Sequence, residues 1–143
     1  MIFIYETYDT VSRSGFKDFR TDLPDYLTKN LKHPLRPYQQ EAIGRYLHYK
    51  TDNNRVIPEQ VLYNMATGSG KTLLMAAIIL EKYQQGERNF IFFVNNDNIL
   101  TKTKDNFLES ASGKYLFAEK IVMDGQIVTV REVTDFSDSR DDS

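Results

Sequence analysis

Residues 67–72, TGSGKT, have the composition of a phosphate-binding turn. They follow a short apolar run at 61–63 and precede an apolar segment that starts at Leu73. Glycines let a backbone curl so that successive N–H groups point at phosphate oxygens, and a helix that starts there adds the positive end of its dipole. A lysine in this position reaches the β- and γ-phosphates, and a threonine hydroxyl ligates Mg²⁺. The predicted nucleoside triphosphate site comprises Thr67, Gly68, Ser69, Gly70, Lys71 and Thr72. Lys71 and Thr72 are its predicted catalytic residues, and Thr72 is its predicted metal ligand.

Length and composition are typical of one intracellular domain. The chain has 143 residues, of which 41% are hydrophobic, and a net charge of −2. This balance neither requires nor excludes nucleic acid as a partner. The absence of cysteine excludes disulfides and thiolate metal sites and is typical of a reducing compartment. Because no apolar run could span a bilayer and the start MIFIYETYD is unlike a signal peptide, we expect a cytoplasmic protein without a membrane partner.

The segments around TGSGKT predict alternating strands and helices. The run at 61–63 and the continuously apolar run at 90–94 are predicted strands, the second buried on both faces. Between them, 72–85 is predicted to be a helix that ends at Gly86. Strand, turn, helix and strand in this order predict a parallel βαβ unit. The fold class is therefore α/β, with a three-layer sandwich as the expected architecture.

The flanking segments add further predicted elements. These are a short strand at 2–5, a short helix at 23–31 capped by Asp22, a helix from Pro37 to Tyr49, a helix after Asn95-Asn96-Asp97 and a hairpin that turns at Asp124-Gly125 between 120–123 and 126–133.

Three segments carry a family resemblance. MATGSGKT resembles motif I of superfamily 2 helicases and translocases, with Met65 where the general pattern G-x-x-x-x-G-K-[ST] has its first glycine. Residues 35–42, LRPYQQEA, are similar to a segment of the motor subunits of type I and type III restriction enzymes. Residues 90–107, FIFFVNNDNILTKTKDNF, resemble motif Ia. Their sequence most resembles that of the Res subunit of type III restriction enzymes. The resemblance covers about residues 33–134.

The resemblance implies a P-loop, RecA-like three-layer sandwich that is incomplete and holds the first motor domain only. The implied organisation is an N-terminal extension at 1–34, a partial ATP-binding domain at 35–134 and an acidic tail at 135–143, which we expect to be disordered. The implied cofactors are ATP and Mg²⁺. Gln39 would recognise adenine, since its amide offers both a donor and an acceptor, and Arg36 would lie beside the base.

Motif Ia implies contacts with the nucleic-acid backbone. The predicted DNA-binding residues are Asn95, Asn96, Thr101 and Lys102, with Lys104 adding charge. The alternative interpretation is that 95–97 only caps a helix and that the two lysines lie on a solvated face.

The implied function is the ATP-binding part of a DNA-dependent ATPase and translocase subunit of a restriction endonuclease. Such a subunit couples ATP hydrolysis to movement on double-stranded DNA before cleavage. The implied partners are a modification and specificity subunit and the second motor and nuclease domains of a longer chain. Hydrolysis also needs an apolar strand that ends in Asp-Glu, and neither Asp124 nor Asp135 is followed by glutamate. We therefore expect an N-terminal fragment that binds nucleotide without turning it over.

Three alternatives remain open at the level of sequence. They are another superfamily 2 DNA helicase, a P-loop kinase and a P-loop binding module without motor activity. The LRPYQ segment argues against the kinase, because such kinases do not need an adenine-reading glutamine before the P-loop. Lys71 and Thr72 argue against a purely structural turn, because replacing them would not obviously harm a helix or a core.

Overall fold

The structure is a computed structural model that describes residues 4–134. The elements of this part of the chain, in order, are helices α1 (Ile4–Arg13), α2 (Asp25–Thr28), α3 (Pro37–Lys50), α4 (Lys71–Gln84) and α5 (Asp97–Phe107), followed by strands β1 (Ile121–Met123) and β2 (Gln126–Val128). No helix of this part combines the length and hydrophobicity needed to cross a membrane.

The described residues divide into two compact units. Unit 1 comprises the residues up to Pro24 together with Leu35–Leu74. Unit 2 comprises Asp25–Pro34 and the residues from Met75 onward. The stretch 1–34 therefore contributes to both units, and the division of the whole protein at residue 34 stays a prediction. The predicted tail at 135–143 lies outside the described residues.

Unit 1 is built around an aromatic cluster under α3. The ring of Phe19, which is buried, lies 5.2 Å from the ring of Tyr8 in α1 and 5.5 Å from the ring of His48 in α3. Gly44 lets α3 approach this cluster, because a Cβ on Gly44 would lie 1.6 Å from the carbonyl oxygen of Phe19. A glycine is therefore required here by close packing rather than by its backbone angles.

The N-terminal segment is helical, so the predicted strand at 2–5 is wrong for the residues of it that the structure describes. Residues 2–5, IFIY, predict a strand because all four are apolar or aromatic. They are followed, however, by charged residues at helical spacing. Asp9 lies 3.9 Å from Arg13 one turn later, and its other oxygen lies 2.5 Å from Arg45 of α3. The hydrogen bond from Arg45 lowers the pKa of the Asp9 carboxyl. A helix brings the Cβ atoms of residues four apart, such as Asp9 and Arg13, to within about 6 Å, whereas a strand would hold such residues about 13 Å apart.

Unit 2 contains the hairpin and a buried asparagine that anchors it. β1 pairs antiparallel with β2, and Asp124 and Gly125 between them both have positive φ, as a type I′ turn requires. Asn30 is 3% exposed, and its amide nitrogen donates to the carbonyls of Tyr26 and Val122. Its oxygen accepts the N–H of Val122 at 2.7 Å. The predicted hairpin is confirmed, with a second strand shorter than expected.

Two of the predicted helices have the expected termini, and one is shorter. α3 starts at Pro37, as predicted, and α4 ends before Gly86, which has a φ of +101°. The N–H of Glu87 bonds the carbonyl of Lys82, as in a Schellman motif. The helix predicted at 23–31 is reduced to α2, and Asp22 has a positive φ instead of the extended backbone of a cap.

The two strands predicted beside the phosphate turn have no sheet partner within residues 4–134. The sheet of this part of the chain has two strands, β1 and β2. The side chains at 90–94 are 36–92% exposed, with Phe93 the most exposed, so the expected burial of this run on both faces is wrong for the described residues. A central strand of a parallel sheet needs a neighbour on each side and a helix over each face. The described residues do not provide these neighbours, so the expected βαβ pairing is absent from them.

Candidate nucleotide-binding site

Residues 65–72, here called the phosphate loop, form a curled turn that leads into α4. Gly68 and Gly70 have φ values of +77° and +80°, a region that favours glycine. The N–H of Ser69 donates to the carbonyl of Ala66 at 3.2 Å, which closes the turn. α4 begins at Lys71, so the N–H groups of Lys71 and Thr72 have no carbonyl partner within the helix and could bind an anion, whereas those of Leu73 and Leu74 donate to the Gly70 carbonyl. All these residues belong to unit 1.

Lys71 is held by the loop itself. Its Nζ donates to the carbonyl oxygens of Met65 and Ala66, each at 2.8 Å. These bonds hold the ammonium group at the first residues of the phosphate loop. A phosphate bound by the loop would lie within reach of this group. A phosphate ligand would therefore replace carbonyl partners of Lys71 with stronger, charged ones. Thr72 follows in the first turn of α4 and is half-buried, and Thr67 is exposed.

Gln39 is the best-supported link between α3 and the phosphate loop. Its side chain is 1% exposed. Nε2 donates to the carbonyl oxygens of Ser69 and Gly70, both at 3.1 Å. Oε1 accepts the N–H of Arg36 at 2.8 Å, as the third residue of a helix does in a capping box. The structure thus brings Gln39, Ser69 and Gly70 together, as a common site requires.

Tyr38 is a site residue that sequence reasoning missed. Its hydroxyl donates to the Ser69 carbonyl at 2.6 Å and accepts a hydrogen bond from Nη1 of the exposed Arg36 at 3.1 Å. The sequence shows Tyr38 only as an aromatic residue near the start of a predicted helix. Its place in LRPYQ, directly before Gln39, was the one available signal.

The loop has the features expected of a nucleotide-binding turn. Within residues 4–134, the Ser69 hydroxyl is buried without a hydrogen-bond partner, so a ligand oxygen or a water could satisfy it. A Cβ on Gly70 would lie 2.5 Å from Nε2 of Gln39, which leaves no room for a side chain on that face. Together with the cation of Lys71 and the hydroxyl of Thr72, these residues fit a magnesium nucleotide.

The residues predicted to contact DNA lie in unit 2. Asn96 is the N-cap of α5, and its side chain accepts the N–H of Ile99 at 3.0 Å. Thr101 donates to the carbonyl of Asp97, and Asn95 and Lys102 are exposed. The structure therefore confirms a capping role for Asn96, and DNA contact by these residues stays a prediction. Lys104 pairs with Glu132 at 2.6 Å.

Comparison with known proteins decides the family. A family model described as "Type III restriction enzyme, res subunit" matches residues 32–140. The chain belongs to this family. It is 39% identical over 126 residues to the "Probable type III restriction-modification enzyme HindVIP Res subunit" of Haemophilus influenzae. The match covers 83% of this Res-family chain and 24% of that protein. No solved structure matches the chain significantly.

Family membership confirms the resemblance drawn from the three sequence segments. The match includes the LRPYQ segment, the phosphate loop and the segment that resembles motif Ia. Among the described residues of this Res-family chain, the elements that carry the phosphate loop are helical, and the only sheet is the β1–β2 hairpin. The chain spans about a quarter of the length of the curated relative that it matches.

Proposed function

We propose that this chain is the ATP-binding part of the DNA-dependent motor of a type III restriction enzyme. The observation that carries the proposal is the phosphate loop, in which two glycines with positive φ lead into α4 at Lys71. In a protein of this family, such a loop supports binding of Mg-ATP, with Lys71 on the β- and γ-phosphates and Thr72 on the metal. Gln39 and Arg36 are assigned to the base by the family resemblance, and that assignment remains a prediction.

The proposal extends to the other parts of the restriction enzyme. The motor would move on double-stranded DNA together with a modification subunit, in the cytoplasm, with the second motor and nuclease domains in a longer chain. Bound Mg-ATP would supply the γ-phosphoryl group, and its transfer to water with ADP as the leaving group would drive this movement. We also propose that runs 61–63 and 90–94 are strands of a RecA-like sandwich. Since the described residues neither pair nor cover these runs, the proposal requires neighbouring strands from the longer chain, which would cover apolar surface that is normally buried.

We expect the 143-residue chain to bind nucleotide without turnover. It has no Asp-Glu pair to hold Mg²⁺ and orient water. Calorimetry with Mg-ATP tests the binding, and Lys71→Ala should weaken it at least ten-fold, because an ammonium–phosphate contact is a charge-assisted interaction. Lys82→Ala, which removes the same charge in the last turn of α4, is the matched control and should bind as the wild type does.

Two results would contradict the proposal. One is the absence of heat at millimolar Mg-ATP, and the other is an affinity that Lys71→Ala leaves unchanged. Rapid hydrolysis stimulated by DNA would support the nucleotide site but refute the expected lack of turnover.

A structural role for the phosphate loop is the second candidate. It is favoured by the two carbonyl bonds of Lys71, which close the loop without any ligand. In that case Lys71→Ala would lower the free energy of unfolding and the chain would show no nucleotide binding. Because these bonds are lost in Lys71→Ala under either function, calorimetry of the wild-type chain with Mg-ATP, and not urea unfolding, distinguishes the two functions.

A further inference from the structure

The turn between β1 and β2 joins an aspartate to a glycine at the surface of unit 2. Asp124 and Gly125 are both exposed, and their φ angles are +51° and +78°. Three atoms separate the side-chain carboxyl carbon of Asp124 from the backbone nitrogen of Gly125, so a bond between the two closes a five-membered ring. Gly125 has no Cβ that would obstruct this approach. The pair therefore has the composition and the exposure that a rearrangement of the main chain requires.

The rearrangement proceeds in two balanced steps. The Gly125 nitrogen attacks the protonated side-chain carboxyl of Asp124, a C–N bond forms, and the carboxyl hydroxyl and the amide hydrogen leave together as water. Water then adds to the backbone carbonyl carbon of the resulting succinimide and breaks the bond from that carbon to the nitrogen. The product is isoaspartate, which has the mass of aspartate and carries the main chain through Cβ and Cγ. Water is the only co-reactant.

A side chain of α4 restrains the reacting carboxyl. Nε2 of Gln84 donates to both carboxyl oxygens of Asp124, at 3.3 and 3.2 Å. Both residues belong to unit 2. Ring closure requires the reacting atoms to approach to about 3–3.5 Å with the correct alignment. A carboxyl that is held at both oxygens loses the rotational freedom that this approach needs.

The same hairpin is anchored in the core of unit 2, so a change of its main chain would affect the fold. Ile121 and Met123 are 3% and 2% exposed, and Asn30 bonds both the N–H and the carbonyl of Val122. The register places Met123 opposite Gln126, with a two-residue turn between them. Isoaspartate lengthens this turn by one main-chain atom. Isomerisation would therefore disturb the pairing of β1 with β2 and destabilise unit 2.

We propose that Asp124-Gly125 is a site of spontaneous isomerisation to isoaspartate, and that Gln84 slows the reaction by holding the Asp124 carboxyl. The proposal concerns a covalent change in unit 2 and is independent of nucleotide binding. It gives Gln84 a role in the chemical durability of the turn, which its exposed position on α4 would not otherwise indicate.

Prolonged incubation of the whole chain at neutral pH tests the proposal. Peptide mapping separates isoaspartyl from aspartyl peptides of equal mass and locates each site. In the wild type, isoaspartate should accumulate faster at Asp124 than at Asp97 or Asp105, each of which precedes an asparagine. Gln84→Ala removes the hydrogen bonds to the carboxyl and should raise the rate at Asp124 about five-fold. Gln60→Ala, which removes the same side chain from an exposed position in unit 1, is the matched control and should leave this rate unchanged.

Three comparisons separate this restraint from general unfolding. In concentrated urea, the wild type and Gln84→Ala should isomerise at the same rate, because the unfolded chain does not hold the carboxyl. In the folded state, Gln84→Ala should leave the rates at Asp97 and Asp105 unchanged, whereas a general loosening of unit 2 would raise them together with the rate at Asp124. Asp124→Glu keeps the charge but would have to close a six-membered ring, so it should give no isomer at this turn.

Two results would overturn the proposal. One is isoaspartate at Asp124 that stays at or below the level at Asp97, which would remove the site. The other is an equal rate in folded wild type and folded Gln84→Ala, which would remove the restraint. The isomerised fraction, separated by ion exchange, should unfold at a lower urea concentration than the unmodified fraction. An equal midpoint would contradict the expected damage to the hairpin.

Discussion

Replacing Gly44 by alanine should destabilise unit 1, although alanine is the better helix former. In a solvent-exposed helix interior, this substitution stabilises a protein by about 1 kcal/mol. In α3, however, the new Cβ would lie 1.6 Å from the Phe19 oxygen, and real Cβ contacts are almost never shorter than 3.0 Å. The backbone at Phe19 or α3 must therefore move by about 1.4 Å. Such overpacking costs about 1–3 kcal/mol.

The same movement separates the Phe19 ring from the rings of Tyr8 and His48. Each aromatic pair is worth about 0.5–1.5 kcal/mol beyond the area that it buries. After subtraction of the gain in helix propensity, we expect Gly44→Ala to lower the free energy of unfolding by about 1–5 kcal/mol.

Urea unfolding measures this change, followed by circular dichroism and by tyrosine fluorescence because the chain has nine tyrosines and no tryptophan. Gly113→Ala is the matched control: a Cβ there meets no atom within 4 Å, so the expected change is below about 0.5 kcal/mol. A Gly44→Ala protein as stable as the wild type, with an unchanged urea dependence, would refute the predicted clash.

Three further predictions concern single side chains. Asn30→Ala removes three hydrogen bonds that involve the backbone of unit 2 and should cost about 3 kcal/mol in urea unfolding; a change below about 1 kcal/mol would contradict the anchoring role. Asn96→Ala removes the N-cap of α5 and should cost about 1 kcal/mol, whereas Asn95→Ala, a truncation at the adjacent position outside the helix, should be nearly neutral. Hydrogen bonds from Arg20 lower the pKa of the Asp18 carboxyl from 3.8 to about 2. The stabilisation of the fold by this pair is therefore complete above the unfolded pKa near 3.8, and it is lost as the pH falls toward 2. Carboxyl NMR titration should show this low pKa, and Arg20→Ala should raise it toward 3.8; an unchanged midpoint would exclude the pair as its cause.

The features that sequence predicted well depend on local chemistry. Asn96 caps α5 because its side chain reaches an amide three residues later, and Gly86 ends α4 because it can adopt a positive φ. Asp124-Gly125 forms its turn for the same local reason. Each signal lies within a few residues of the structure that it specifies.

The features that sequence missed depend on partners far along the chain. The strand at 90–94 was inferred from its apolar run, but a strand forms only beside another strand, and the described residues supply none. The role of Tyr38 depends on a hydroxyl contact 31 residues away, which periodicity cannot show. Gln39 was singled out as a candidate site residue through the family resemblance, and its bonds to Ser69 and Gly70 became visible only in the structure.

The exposure of 90–94 has a practical consequence for work on this chain in isolation. The run FIFFV joins aromatic and β-branched residues with no charge and no proline, and Phe93 is almost fully exposed. Segments of this composition promote intermolecular cross-β association. Self-association through this run would increase with protein concentration, so dilute samples with a dispersity check are needed before any affinity is interpreted.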